Sequence, residues 1–204
     1  AAKKLGPQTA EYTPDMVQET KDLFDLMGVS WVEAPMEAEG AAAVMCSRGD
    51  VSAVASQDWD TLLYGSPVMV RNLTSHGTRR FGRVMSAERI DLSKTLESHG
   101  ITREQLVDLG IMVGTDFHPG IKGIGPKTGL KLMKKHGTME AVAEAKGFEL
   151  PENLEGIRSL FMEHPVGDEP IPEARRAVEE SLRSFLQEER GFSERRMERA
   201  LNRL

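Results

Sequence analysis

Two pairs of carboxylates, Glu37/Glu39 and Asp58/Asp60, punctuate the stretch APMEAEGAAAVMCSRGDVSAVASQDWD, which runs from Ala34 to Asp60. The second pair follows a short apolar run, Val51 to Ala55, that reads as a buried parallel strand. In open α/β sheets, ligands bind just beyond the carboxyl ends of the strands. Four acids converging there repel one another unless a cation sits among them. Oxygen-only donors suit Mg²⁺ or Mn²⁺ rather than zinc. Asp116 adds a fifth acid directly after a predicted helix, where the dipole end disfavours negative charge. The chemistry these residues fit is metal-dependent cleavage of a phosphodiester. Against it stands the plain reading of exposed acids in turns. That reading weakens because both pairs fall on one predicted sheet edge.

The elements that must position these acids follow from local signals. Thr13-Pro14-Asp15 reads as a helix start, and Gly28 ends the run. Val29 to Val32 is predicted as a strand, Met36 to Ser47 as a helix, and Val51 to Ser56 as the next strand, which makes a βαβ unit. Glu37 and Glu39 then stand at the helix entry, and Asp58 and Asp60 just past the second strand. Val68 to Leu73 is a further strand, with a hairpin turn at His76-Gly77 and Arg79 to Phe81 returning. Ile90 to His99 reads as a helix. Thr102 and Gln105 form a capping box before Leu106 to Val113, and Thr138 caps a helix to Ala145. Asn153 to His164, Ala174 to Glu189 and Ser193 to Leu204 are helical in pattern, with a linker from Pro165 to Glu173.

A second constellation is basic. The chain of 204 residues has net charge −6, yet His118 to Gly137 carries Lys122, Lys127, Lys131, Lys134 and Lys135 and no acid, +5 that leaves −11 for the remainder. Within it, GIKGIGPKT is not a P-loop: Pro126 separates Gly125 from Lys127, and no strand precedes it. It fits a helix–hairpin–helix turn. Gly123 and Gly125 allow close backbone approach, and Pro126 opens a helix whose free N–H groups suit a phosphate. Lys127, Lys131 and Lys135 recur on one face, a surface for a nucleic-acid backbone without base readout. A solvated lysine face would explain the lysines but not the turn. Arg71, Arg79, Arg80 and Arg83 form a second basic run, readable as a DNA contact or as an exposed hairpin. Trp31 and Trp59 read as core residues. The five histidines show no zinc spacing.

Composition bounds the rest. The hydrophobic share of 39% and charged share of 28% fit a soluble globular chain. No apolar run approaches the roughly 20 residues of a membrane span. Cys46 is alone, so a reducing compartment is expected.

The motifs EAPMEAEG, ASQDWDTLLYG, VRNLT, DLGIMVGTDF, GIKGIGPKTGLKLMKKHG and GFSERRMERALNRL, in that order, resemble the flap endonucleases of the XPG family, the archaeal ones most. The resemblance runs from about Asp15 to Leu204. It implies a PIN-like α/β fold, with a parallel sheet flanked by helices, a helix–turn–helix element that grips DNA, and C-terminal helices. It implies a structure-specific 5′ flap endonuclease and 5′-3′ exonuclease of replication and repair, acting on branched DNA by two-metal hydrolysis. By matching motif, Glu37 and Glu39 would serve one Mg²⁺ (or Mn²⁺), and Asp58, Asp60 and Asp116 would serve the second or position its waters. Glu37, Gly114, Asp116, Lys122, Gly123, Gly125, Lys127 and Lys131 would lie on DNA, with K⁺ at the helix–turn–helix. A cytoplasmic, nucleoid-associated location goes with this.

The implied segments are 1–14 as the end of the helical arch, 15–117 as nuclease core, 118–145 as DNA-binding element, and 146–204 as a helical part packing back on the core. The family's upstream aspartates and its arch Lys and Arg have no counterpart here, nor has its sliding-clamp-binding tail. Gly40 stands where some relatives have Ala, a small change. The expectation is a truncated or cleaved form of an active enzyme. The alternative is a non-catalytic DNA-binding module. An aspartyl phosphotransferase around Asp58 fails, since Ser56-Gln57 separate that Asp from its strand and Thr61 comes too early.

Overall fold

The computed structural model describes residues 12–80, 82–166 and 171–202. The chain forms two compact units, one from Ala34–Asp168 and one from Ala1–Glu33 with Glu169–Leu204. Phe81 and most of the segment expected to be the arch remnant lie outside the described residues.

The larger unit carries the acids. Helix α2 (Ala38–Arg48) leads to a two-residue strand β1 (Val54–Ala55), helix α3 (Asp60–Leu63) and strand β2 (Val68–Arg71). β1 pairs parallel with β2, Val54 opposite Met69 and Ala55 opposite Val70. After a hairpin of β3 (Arg79–Arg80) and β4 (Arg83–Val84), strand β5 (Glu88–Asp91) returns antiparallel on β2. The sheet is thus mixed, β1-β2-β5.

Three expectations are corrected here. No strand forms over Val29–Val32: the Val29 N–H turns back to the Phe24 carbonyl, the Ser30 hydroxyl donates to the Pro172 carbonyl, and the Arg175 N–H donates to the preceding Gly28 carbonyl at 2.9 Å. The parallel pair is therefore β1 with β2, and its crossover is the short helix α3. The return strand for β2 is β5, not Arg79–Phe81. Asp91 closes β5 and caps helix α4 (Leu92–His99), accepting from Lys94 N–H.

Helices α5 (Arg103–Val113), α6 (Pro126–His136), α7 (Met139–Lys146) and α8 (Leu154–Met162) build the main core. The Thr102–Gln105 capping box and the Thr138 cap form as the sequence predicts. Ile111, Met112, Met133, Met139, Val142 and Phe161 are completely buried together. Two arginines fasten this core to the site-bearing elements. Arg103 Nη2 donates to the carbonyls of Leu63, Tyr64 and Phe161, at 3.4, 2.9 and 2.8 Å, joining the end of α3 to α8. Arg158 forks onto Asp108 at 2.7 and 2.8 Å, and Asp108 also accepts the Met139 N–H. The fork leaves buried Asp108 both paired and hydrogen-bonded, the condition under which a buried charge is tolerated.

The smaller unit sets α1 (Pro14–Met27), with its Thr13 cap, against the chain's last helices. Residues 174–178 form neither helix nor strand, and helix starts only at α9 (Glu179–Arg183), which continues as a π-helical turn to Glu189. α10 (Glu194–Leu201) follows. Leu182, Leu186 and Met197 are buried among Leu23, Leu26, Met27 and Phe192. Gly28 adopts φ +70°, and a Cβ there would stand 2.1 Å from the Arg175 carbonyl oxygen, so only glycine admits this crossing.

Removing the Asp108 carboxylate takes away the fork's acceptor and leaves the buried Met139 N–H unmet, while Arg158 keeps Glu140 and Glu155. Asp108→Ala is expected to lower stability by about 2 kcal/mol, read as a drop in the urea midpoint without a change of slope.

Candidate functional site

The acids come from three separate stretches. Glu37 is the N-cap of α2 in an extended conformation, and Glu39 lies in the first turn. Asp58 follows β1, and Asp60 is the first residue of α3. Asp116 sits in the loop after α5, which leaves the helix through Gly114 at φ +120° and is pinned by a bridge between Thr115 and His118. All five line one hollow, together with Tyr64 and Phe117.

A relay of hydrogen bonds fixes the loop beyond β1. Ser56 Oγ donates to Glu39 Oε1 at 3.4 Å and accepts the Asp58 N–H at 3.0 Å; Asp58 Oδ1 then accepts the Asp60 N–H at 3.0 Å. Electrostatics records the crowding. Burial pushes the Asp60 carboxyl up to about 6, and the charges of Asp58, Asp116, Glu39 and Glu37 add to the rise. Among the described residues, no three His, Cys, Asp or Glu side chains stand ready-made around one cation position. As a donor set, five carboxylates on one hollow fit hard divalent cations.

Two lining residues carry no signal as functional in the sequence patterns used above. Tyr64 lies four residues after Asp60, hence on the same side of the turn, a spacing that could have marked it. Phe117 follows Asp116 and packs edge-on to Phe161. Two further readings are corrected. Trp59 is 51% exposed and carries Arg71 over its ring at 4.1 Å, while Trp31 is only partly buried under Lys21. Neither is in the core, because each ring face is covered by a cation rather than by apolar side chains. Gly40 is also more than a small change: a Cβ there would lie 2.6 Å from three atoms of the buried His164 ring.

The basic element begins beyond Asp116. α6 starts at Gly125, an extended N-cap with no side-chain cap, and Pro126 occupies the first turn. The amides of that turn are left without a side-chain acceptor, the arrangement that suits an anion. Gly123 has φ +85°, and a Cβ at either Gly123 or Gly125 would meet nothing within 4 Å, so this backbone is open on its outer side. Lys122, Lys127, Lys131, Lys134 and Lys135 are exposed, while Gly129, Leu132 and Met133 face inward. Arg79 and Arg83 are exposed on the β3–β4 hairpin, and Arg71 is engaged with Trp59 and the Gln57 carbonyl.

Residues 28–116 match the XPG I-region. Along its whole length the chain is similar to archaeal flap endonucleases. It is 44% identical to flap endonuclease 1 of Hyperthermus butylicus, over 100% of this chain and 60% of that protein. The flap endonuclease-1 of Methanococcus jannaschii has a similar structure, with a TM-score of 0.83 and 36% identity over 98% of this chain and 60% of that one. A eukaryotic junction-resolving enzyme, GEN-1, solved with potassium, aligns with a TM-score of 0.68 and 26% identity over 87% of this chain and 53% of that one. This chain spans about three-fifths of the length of the curated relatives it matches.

The raised Asp60 carboxyl makes stability depend on pH. The folded chain holds this proton more tightly than the unfolded one, so in the absence of cations stability falls as pH rises from about 4 through 6. At a half-exposed group, screening leaves roughly 1–2 kcal/mol. Asp60→Asn should remove that component, and urea unfolding at pH 4.5 and 7 compares the two.

Proposed function

We propose that this chain is the carboxylate-bearing and DNA-gripping portion of a structure-specific 5′ nuclease acting on flap or branched DNA. The observation that carries the reading is the convergence of Glu37, Glu39, Asp58, Asp60 and Asp116 on one hollow, immediately before a lysine-faced helix with an open N-terminus.

In this reading Glu37, Glu39, Asp58, Asp60 and Asp116 hold two divalent cations, Mg²⁺ by donor chemistry. When bound there, such ions neutralise the scissile phosphate and acidify the attacking water. The chain's own groups do the rest. The Ser56–Asp58–Asp60 relay sets where the second carboxylate pair points. Ionisation of Asp60, resisted by its neighbours in the bare hollow, becomes favourable once positive charge arrives. The first-turn amides of α6 and the backbone at Gly123 and Gly125 receive a phosphate, and Lys122, Lys127 and Lys131 neutralise its neighbours. Gly114, Asp116 and Glu37 border the DNA where it enters the hollow. K⁺ at the turn is supported by the potassium-bound relative and by the turn's open backbone. A sliding clamp would be a partner of the longer protein, and a cytoplasmic, nucleoid-associated setting follows from the substrate.

With a labelled 5′-flap DNA, the expected result is binding by the 204-residue chain and cleavage that needs Mg²⁺ and vanishes in Asp58→Ala. Binding without cleavage by this chain would favour the DNA-binding module; cleavage that persists in EDTA would overturn the metal reading. Lys131→Ala is expected to weaken binding uniformly across sequences and to lower the salt slope by about 1, measured by titration between 50 and 200 mM salt.

A further inference from the structure

A buried polar atom in the acidic hollow has no partner among the described residues. Tyr64 is 96% buried, lines the hollow with the five carboxylates, and its hydroxyl makes no hydrogen bond. A buried hydroxyl left unmet costs about 1–3 kcal/mol, a cost that phenylalanine would avoid in the same space. Burial and the surrounding carboxylates push the phenol well above its ordinary range, so it keeps its proton and can act as a donor to them.

The ring cannot swing away. It lies against Phe161 at 4.8 Å between centroids and edge-on to His164 at 4.9 Å. Arg103 holds its carbonyl at 2.9 Å. His164 in turn fills the space left by the missing side chain of Gly40. Both His164 nitrogens are buried without partners, so its contribution here is ring packing. Gly40, His164 and Tyr64 therefore form a stack that fixes one phenol hydroxyl beside Glu37, Glu39, Asp60 and Asp116.

We propose that Tyr64 is a positioning residue of the hollow: when divalent cations draw the carboxylates inward, its hydroxyl donates to one of them and holds it in its binding orientation. This rests on the metal-site reading above. It assigns Tyr64 no contact with the reacting atoms.

The test uses Mn²⁺ alone with the 204-residue chain, its Tyr64→Phe variant and its Asp58→Ala variant. Tyr64→Phe is expected to keep the cation-free urea midpoint of the parent or exceed it, since it removes only an unmet group. It is expected to bind Mn²⁺ about tenfold more weakly, as for loss of one charge-assisted hydrogen bond. A spectroscopic readout separates positioning from packing. The chain has two tyrosines, and Tyr12 is 87% exposed, so it serves as the constant reference. On adding Mn²⁺, the Raman doublet of the tyrosine ring should move toward a hydrogen-bond donor in the parent, with no change in Tyr64→Phe. Equal Mn²⁺ affinity in Tyr64→Phe, or an unmoved doublet in the parent, overturns the role of the hydroxyl alone. A parent that binds Mn²⁺ no better than Asp58→Ala overturns the metal-site reading, and this proposal with it.

Discussion

Repulsion among five carboxylates is the constraint around which the larger unit is organised. Left to themselves these groups would separate, and the backbone that carries them would relax with them. What prevents this is that each acid sits at the end of an element fastened elsewhere: α2 at its entry, β1 at its exit, α5 just past its last turn. The fastening is distant from the charge. Arg103 gathers three carbonyls from α3 and α8, and Arg158 locks α5 to α7 and α8 through Asp108 and Glu140. The rigidity of the acidic hollow is thus borrowed from a helical core that contains no acid of the site.

The same helical core serves the basic element. α5 ends at the Asp116 loop and α6 begins at the open glycine turn, and the two helices pack closely enough that Gly129 has no room for a side chain against Leu109. Opposite charges are therefore carried on consecutive pieces of one rigid pair. A phosphate chain held by α6 keeps a set path, by covalent connection, to the loop that carries Asp116.

Local chemistry made much of this readable. Thr13, Thr102 with Gln105, and Thr138 announce their helices because a cap is decided within four residues. The acids were found by type and spacing, and the lysine face by its period. The failures are non-local. Val29–Val32 has strand composition, yet the Ser30 hydroxyl and the adjoining Gly28 carbonyl find their partners some 140 residues away in sequence, at Pro172 and Arg175, which no pattern within the segment records. The strand expected over Val51 to Ser56 forms only at Val54–Ala55, and β5 hides in the polar run Glu88-Arg-Ile-Asp91 because one strand face is solvated. Trp59 was misread because a large aromatic is commonly buried, whereas here Arg71 takes the place of a core. Tyr64 was missed because its role depends on what lies around its hydroxyl, and Gly40 because the meaning of a missing methyl depends on His164.

The smaller unit joins the first described helix to the last two. Leu23 and Leu26 of α1 find their apolar partners, Leu182, Leu186 and Met197, only in the closing segment of the chain. During synthesis α1 emerges before α9 and α10, and it stays without this packing until they are made. The unit carrying both acids and lysines is continuous in sequence and has no such wait. Connectivity thus orders these two units, with the continuous one able to form before the one whose two segments flank it.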